Sequence, residues 1–311
     1  MTTAKTLIIG TRSSKLALAQ VEIVKQGLHR QFPDCQIIVK HITTKGDVIL
    51  DRPLKAIGEK GLFITEIEDA LRQNQIDIAV HSAKDLSTEI PADMQIAAYL
   101  PREDARDAII GMPLSALPPG ARVGTSSTRR LCQLRHMRPD LTLLDLRGNV
   151  DTRLRKLHEG QYDAIILAAA GLNRLGLSHE IAELINPSQM IPAVAQGAIA
   201  IETRFDDAST RAMVNTLHDT DTGIAVQSER AFLTTIGGGC SLPAGAYTIC
   251  HESSCEISGM IGSLDGTLVA DTCVGNINDS VALGSSLAAS LLAAGGRDLI
   301  HRDMLAIGEK S

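Results

Sequence analysis

The sequence predicts two α/β regions built on parallel sheets, followed by a small α+β domain. Three features predict this. Short apolar strands alternate with amphipathic helices through about residue 217. Those strands give way to polar turns rich in Gly, Ser, Thr or Arg, where α/β proteins place their chemistry. From Ala244 onward the alternation stops, and three consecutive strands precede two helices.

The first strand, Leu7 to Ile9, ends in Gly10-Thr11-Arg12-Ser13-Ser14. A helix follows from about Lys15 to Phe32, with Leu16, Ala19 and Ile23 on a helical period beside Val24 and Leu28. Ser13 or Ser14 caps it, so Arg12 stands at a helix N-terminus, where unpaired N–H groups attract anions. The plainer alternative is a capped helix and nothing more. Gln36 to Thr43 reads as a strand. Pro53 to Gly61, rich in Gly and Lys and poorly periodic, is a surface loop, either a connection or an active-site lid. It lacks the GxxxxGK[ST] of a phosphate loop. A helix over Phe63 to Gln73 leads to a strand, Ile76 to Val80, that breaks into His81-Ser82-Ala83-Lys84-Asp85. Lys84 beside Asp85 favours the ionised carboxylate, although such pairs also occur in ordinary solvated turns.

Gln95 to Leu100 and Asp107 to Ile110 read as strands, with Pro101-Arg102-Glu103-Asp104 between them as a crossing between domains. After a Pro-rich loop over Leu114 to Gly120, Val123 leads into Gly124-Thr125-Ser126-Ser127-Thr128-Arg129-Arg130 and a helix to about Met137. Two Arg in a first turn oppose the helix dipole, yet they suit the binding of carboxylate or phosphate. Strand Leu141 to Leu146 ends in Arg147-Gly148-Asn149, and helix Val150 to His158 carries Arg153 and Arg155. Strand Tyr162 to Leu167 runs into a short helix with Arg174. Arg12, Arg129, Arg130, Arg147, Arg153 and Arg174 thus fall at equivalent strand ends, as a site for several carboxylates requires. Ile191 to Ile201 returns the chain to the first domain, and Ala208 to Leu217 is a helix. Asp219-Thr220-Asp221 caps another that reaches Ile236 and stops at Gly237-Gly238-Gly239-Cys240. The last domain has strands near 244–250, 256–262 and 267–274, then helices over Ser280 to Ala294 and on to about Ile307.

The 311 residues suffice for two or three domains with real cores. No Trp, three Tyr and four Phe leave no aromatic platform for single-stranded nucleic acid, and a net charge of −6 makes a phosphate backbone an unfavourable partner. No secretory apolar segment precedes Leu7, and no apolar run approaches the ~20 residues of a membrane span. The expectation is a cytoplasmic protein without nucleic-acid or membrane partners. The six cysteines, at 35, 132, 240, 250, 255 and 273, show no zinc-ligand spacing, so no metal is expected. Cys250, Cys255 and Cys273 read as packing residues in strands. Cys240, on a loop after three glycines, is the one placed to react. His251-Glu252-Ser253-Ser254-Cys255 lacks the second His of HExxH, and no GxSxG elbow occurs.

Taken together, His81-Ser82-Ala83-Lys84-Asp85, Gly124 to Arg130, Leu146-Arg147-Gly148-Asn149, Pro192 to Gly197 and Gly238-Gly239-Cys240 resemble the porphobilinogen deaminase family. The resemblance covers essentially the whole chain, with the motifs in the family's order and spacing. It implies two α/β domains like type II periplasmic binding proteins, with the chain crossing twice between them, and a small α+β domain. Residues 1–99 with 198–217 would form domain 1, residues 100–197 domain 2, and residues 218–311 domain 3. It also implies a hydroxymethylbilane synthase activity in a monomer: four porphobilinogen units condense head to tail, each losing ammonia, into a linear tetrapyrrole. By the same resemblance, Cys240 holds a dipyrromethane cofactor through a thioether and Asp85 is the catalytic carboxylate. Lys84, Thr125, Ser127, Arg129 and Arg130 would hold the cofactor, Arg12, Ser14, Arg147, Arg153 and Arg174 would meet substrate or chain carboxylates, and Lys60 lies on the lid. Ala195 stands where Gly often precedes Gln-Gly in the family, and Ser241-Leu242 where Gln-Val is common. Neither departure removes a charged or nucleophilic group.

The residue types suit that chemistry. Porphobilinogen carries acetate and propionate arms, so a growing chain brings two carboxylates per ring, and Arg forks hold such groups bidentately. Loss of ammonia leaves an electron-poor azafulvenium, which a buried carboxylate stabilises while managing proton transfer. An Asp, with an ordinary pKa of ~3.9, is ionised for this at neutral pH. Two other classes compete. An anion-binding module uses the arginines but gives Cys240 and Asp85 no role; a cysteine hydrolase requires a His-Asp pair near Cys240 and leaves the arginines idle.

Overall fold

A computed structural model describes residues 6–44, 64–238 and 242–308, with side chains as far as Asp303. The expected lid with Lys60, and Cys240 itself, lie outside the described residues. The chain divides into two compact units, residues 1–103 with 197–223 and residues 104–196 with 224–311.

The first unit is organised on β1 (Thr6–Thr11), an apolar strand whose alternation serves both faces of a sheet. Leu7 and Ile9 pack with Val21, Val24 and Leu28 of α1 (Lys15–Gln31) and Val214 of α6 (Ala208–Asn215). Ile8 turns the other way, toward Ile67 and Leu71 of α2 (Thr65–Arg72). A fully buried Leu or Ile of this kind contributes about 1.5–3 kcal/mol relative to exposure. β1 lies between the parallel strands β2 (Gln36–His41) and β3 (Ile78–Ser82), and the sheet order is β2-β1-β3-β10-β4, with β4 at Met94–Tyr99 and β10 at Ile199–Arg204.

The second unit repeats this order as β7-β6-β8-β5-β9. Its strands are β5 (Asp107–Gly111), β6 (Arg122–Gly124), β7 (Thr142–Leu144), β8 (Ala164–Ala168) and β9 (Ile181–Leu184). Helices α3 (Thr128–Met137), α4 (Val150–His158) and α5 (Ala169–Arg174) connect and cover them. In both sheets the fourth strand follows a passage of the chain from one unit to the other, after Glu103 for β5 and after Gln196 for β10. With a third passage after Gly223, these join two units that each hold a five-stranded α/β sheet of the same strand order.

The sheets are mixed, in contrast to the parallel sheets expected. β10 runs antiparallel to β3 and β4, and β5 antiparallel to β8 and β9. The reason is where the chain re-enters. Ala83 N–H, just beyond β3, donates to Ala198 O, so β10 starts beside the end of β3 and runs back. The strand β9 is also additional to those read from the sequence.

A third, antiparallel sheet, β11 (Ala244–Cys250), β12 (Ser254–Gly262) and β13 (Leu268–Asn276), follows α7 (Thr220–Thr235). Phe232 of α7 packs so closely on it that a β-carbon at Gly259 would stand 2.6 Å from the ring. This sheet belongs to the second compact unit, because α3 packs against it: Cys132, Ile191 and Met260 form one buried cluster. α8 (Ser280–Leu291) and α9 (Arg297–Gly308) complete the fold. By length and composition, the helical stretch Ile277–Asp303 is apolar enough to cross a membrane, contrary to the sequence expectation. It is turned at Gly295 (φ 110°), and Leu287, Leu291 and Leu299 are buried.

Candidate active site

Sequence places the chemistry of the first unit at the ends of β1 and β3, and the fold joins those ends in one cleft. Thr11, Arg12, Ser14, Gln20, His81, Ser82 and Asp85 line it. Ser14 caps α1, its Oγ accepting from Ala17 N–H at 3.3 Å. Gln20 is buried on α1 and donates to Ser82 Oγ at 2.8 Å, which ties the helix to the turn after β3. That turn is a single helical loop over Ala83–Asp85, closed by Leu86 N–H donating to Ala83 O. Ala83 and Leu86 are buried and anchor its two ends. Asp85 between them is exposed and Lys84 half-buried. The carboxylate expected to be buried therefore stands at the rim of the cleft, because the turn gives its inward positions to Ala83 and Leu86.

Beneath this turn is a pair that sequence reading missed. His81 Nε2 lies 3.0 Å from Glu202 Oε2, with Glu202 fully buried on β10. Burial, then the Glu202 charge, push the nearby Glu68 carboxyl up. The strand pairing that joins them links positions 121 residues apart. The signal was a Glu directly following the apolar run Ile199-Ala200-Ile201.

In the second unit, Arg129 and Arg130 occupy the first turn of α3 and are buried, at 4% and 6% exposure. Both reach Asp107, the fully buried residue that opens β5: Arg129 Nη1 donates at 2.6 Å and Arg130 Nη2 at 2.7 Å. Gln196 donates to the same carboxylate at 2.9 Å. Arg129 also donates to Ile191 O and Arg130 to Ile166 O, each at 2.8 Å. Burial alone would raise the Asp107 carboxyl, but the charges of Arg129 and Arg130, with the hydrogen bonds from Arg129 and Gln196, outweigh it and hold it well below the ordinary range. Burial pushes the Arg130 guanidinium down, opposed by the Asp107 charge. These arginines thus have an internal partner that sequence did not reveal, although an Asp opening the apolar run Ala108-Ile109-Ile110 was its trace. One carboxylate between two guanidinium groups leaves positive charge over, and Arg129 Nε, also buried, has no hydrogen-bond partner among the described residues. An acidic group fits this corner.

The start of α3 is held from several sides. Thr125 Oγ1 accepts from Ser127 N–H at 3.2 Å, and Ser127 caps the helix through Arg130 N–H. Ser126 Oγ donates to Leu146 O at 2.7 Å, joining the ends of β6 and β7. Thr128 Oγ1 donates to Leu242 O at 3.3 Å, which brings the chain just beyond Cys240 to the same helix end. Around α4, Asn149 caps through Thr152 N–H at 2.9 Å and Arg153 Nε donates to Gly148 O at 2.7 Å. Arg153, on α4, is thereby tied to the loop that carries Arg147. Arg174 differs from the expected pattern: it is the last residue of α5, a full helix beyond the end of β8.

The fold thus gathers Arg12, Ser14 and Asp85 in one cleft, Thr125, Ser127, Arg129 and Arg130 about the start of α3, and Arg147 with Arg153 about the start of α4. Against known proteins, residues 7–212 match the family model "Porphobilinogen deaminase, dipyromethane cofactor binding domain", and residues 224–293 match "Porphobilinogen deaminase, C-terminal domain". Porphobilinogen deaminase of Roseiflexus sp. (strain RS-1) is 57% identical over 299 residues, covering 95% of this chain and 99% of that protein. Its namesake from Roseiflexus castenholzii is 54% identical over 297 residues, covering 94% and 98%. Among solved structures, the methionine binding protein MetQ aligns with a TM-score of 0.44 and 12% identity, over 70% of this chain and 91% of that one. With both family models matched in order and relatives more than half identical from end to end, this chain belongs to the porphobilinogen deaminase family.

Proposed function

We propose that this chain is a hydroxymethylbilane synthase, a transferase that condenses four porphobilinogen units head to tail on a covalent dipyrromethane primer. Ammonia leaves at each addition, and linear 1-hydroxymethylbilane is the product. The observation that carries the reading is the presentation of Asp85 on an anchored turn, at the rim of a cleft that also holds Arg12 and Ser14. Arg12 and Ser14 bind the acetate and propionate arms of the substrate, by charge and by hydroxyl donation. Asp85 faces the carbon from which ammonia departs. It stabilises the cation that develops there and takes the proton that the new bond releases.

The positive corner at Arg129 and Arg130, with the hydroxyls of Thr125 and Ser127, suits the acidic arms of dipyrromethane joined to Cys240, and Lys84 assists from its own turn. When bound, that group supplies the pyrrole carbon that begins the chain. Arg147, Arg153 and Arg174 neutralise carboxylates of the growing product, and Lys60 acts from the lid. The protein works as a cytoplasmic monomer, without nucleic acid or membrane.

The test is to supply porphobilinogen to the purified chain and follow its consumption together with ammonia release. Release of one ammonia per porphobilinogen consumed is expected. Saturable binding with no ammonia released would instead make this an anion-binding module.

A further inference from the structure

The three cysteines of the C-terminal sheet share one face. The β11–β12 register pairs Cys250 with Cys255, and the β12–β13 register pairs Ile257 with Cys273. Alternate and paired positions point to the same side, here the side on which Gly259 meets Phe232 and Leu287. The turn between β11 and β12 settles the geometry of the first pair. His251 N–H donates to Ser254 O at 2.8 Å, so those two residues form a hydrogen-bonded pair. Cys250 and Cys255, next along the ladder, then form a non-hydrogen-bonded pair. Cα atoms at such positions stand about 4.5 Å apart, with side chains at their closest. That lies within the roughly 4.4–6.8 Å that a disulfide spans.

Accessibility divides the pair. Cys255 is fully buried, while Cys250 is half-exposed at the end of an edge strand. Cys273 approaches Cys255 only diagonally, from the far strand. The remaining described cysteines, Cys35 in the connection before β2 and Cys132 on α3, are buried elsewhere, and burial pushes the Cys132 thiol up to about 12. The condensation chemistry uses none of these sulfurs.

We propose that Cys250 and Cys255 form an oxidisable couple that a hydroperoxide closes to a cross-strand disulfide. The Cys250 sulfur attacks a peroxide oxygen, the O–O bond breaks, and Cys250 becomes a sulfenic acid with release of water. The Cys255 sulfur then attacks the Cys250 sulfur and displaces hydroxide, which leaves as water with the Cys255 proton. Two thiols lose two electrons, and one molecule of hydrogen peroxide becomes two of water. A reducing thiol reverses the step by exchange.

The experiment treats the cofactor-loaded protein with equimolar hydrogen peroxide, blocks remaining thiols with N-ethylmaleimide, and maps the peptides by mass spectrometry. A cross-linked peptide joining Cys250 to Cys255, lighter by about 2 Da than the two thiol forms, is expected, and dithiothreitol should remove it. The link should vanish in Cys250→Ser and persist in Cys273→Ser, with melting temperature confirming that each variant is folded. A link from Cys255 to Cys273, or overoxidation of Cys250 with no link, overturns the proposal. So does full retention of both thiols. The wild-type map stands without either variant.

Discussion

Thr128 Oγ1 donates to the Leu242 carbonyl at 3.3 Å, a bond that spans 114 residues of sequence and brings the segment after Cys240 to the first turn of α3. Leu242, two residues beyond Cys240, is thereby held beside Ser127, Arg129 and Arg130. Cys240→Ser should leave the fold intact and abolish the covalent pyrrole mass that porphobilinogen adds to the protein. Intact-mass measurement decides; a retained adduct would mean another attachment residue. Thr128→Val should cost about 0.5–1.5 kcal/mol of stability, the net worth of one hydrogen bond, read from urea melts, with Cys240 still modified.

Asp85 contributes little to the fold, since it is exposed while Ala83 and Leu86 bury the ends of its turn. Asp85→Asn should hold the melting temperature near the parent value while lowering turnover by roughly a hundredfold or more, the scale of a lost acid–base group. Near-parental rates would remove Asp85 from the reaction.

Asp107 behaves in the opposite way. Asp107→Asn leaves Arg129 and Arg130 buried against a neutral amide and should destabilise by about 3–5 kcal/mol, as breaking a buried ion pair does. The pH dependence has a definite sign. The folded carboxyl titrates below its ordinary value, so its contribution is complete above the unfolded value of ~3.9 and is lost as pH falls through the folded value. Denaturant melts across the acid range should show this loss in the parent and not in Asp107→Asn.

Ala195 holds φ at 60°, in the left-handed region, while its N–H donates to the buried carboxylate of Glu229 at 2.6 Å. A β-carbon in that conformation costs roughly 1–2 kcal/mol, a strain that glycine would not carry. Ala195→Gly should raise stability by about 1 kcal/mol, less the added freedom of the unfolded chain. An unchanged or lower melting temperature would mean that the Glu229 bond already relieves the strain.

What sequence determined by itself was whatever rests on a few neighbouring residues. A cap at Ser13 or Ser14, the hydroxyl residues that open the helix of Arg129, and helix α4 over Val150 to His158 follow from local pattern and hydrogen-bonding groups, and the structure chose Ser14 and Ser127 as the caps. Membership of the porphobilinogen deaminase family was legible too, as was the change of architecture at Ala244. What the tertiary structure decided was which of those groups meet. Arg129 and Arg130 read as open anion ligands until β5 brought Asp107 beneath them, and His81 gained Glu202 only through the pairing of β3 with β10. Antiparallel re-entry of the crossing strands and the exposure of Asp85 belong to the same class. Periodicity and capping act within a turn or two of chain, whereas burial and ion pairing depend on contacts between positions that only a completed sheet brings together.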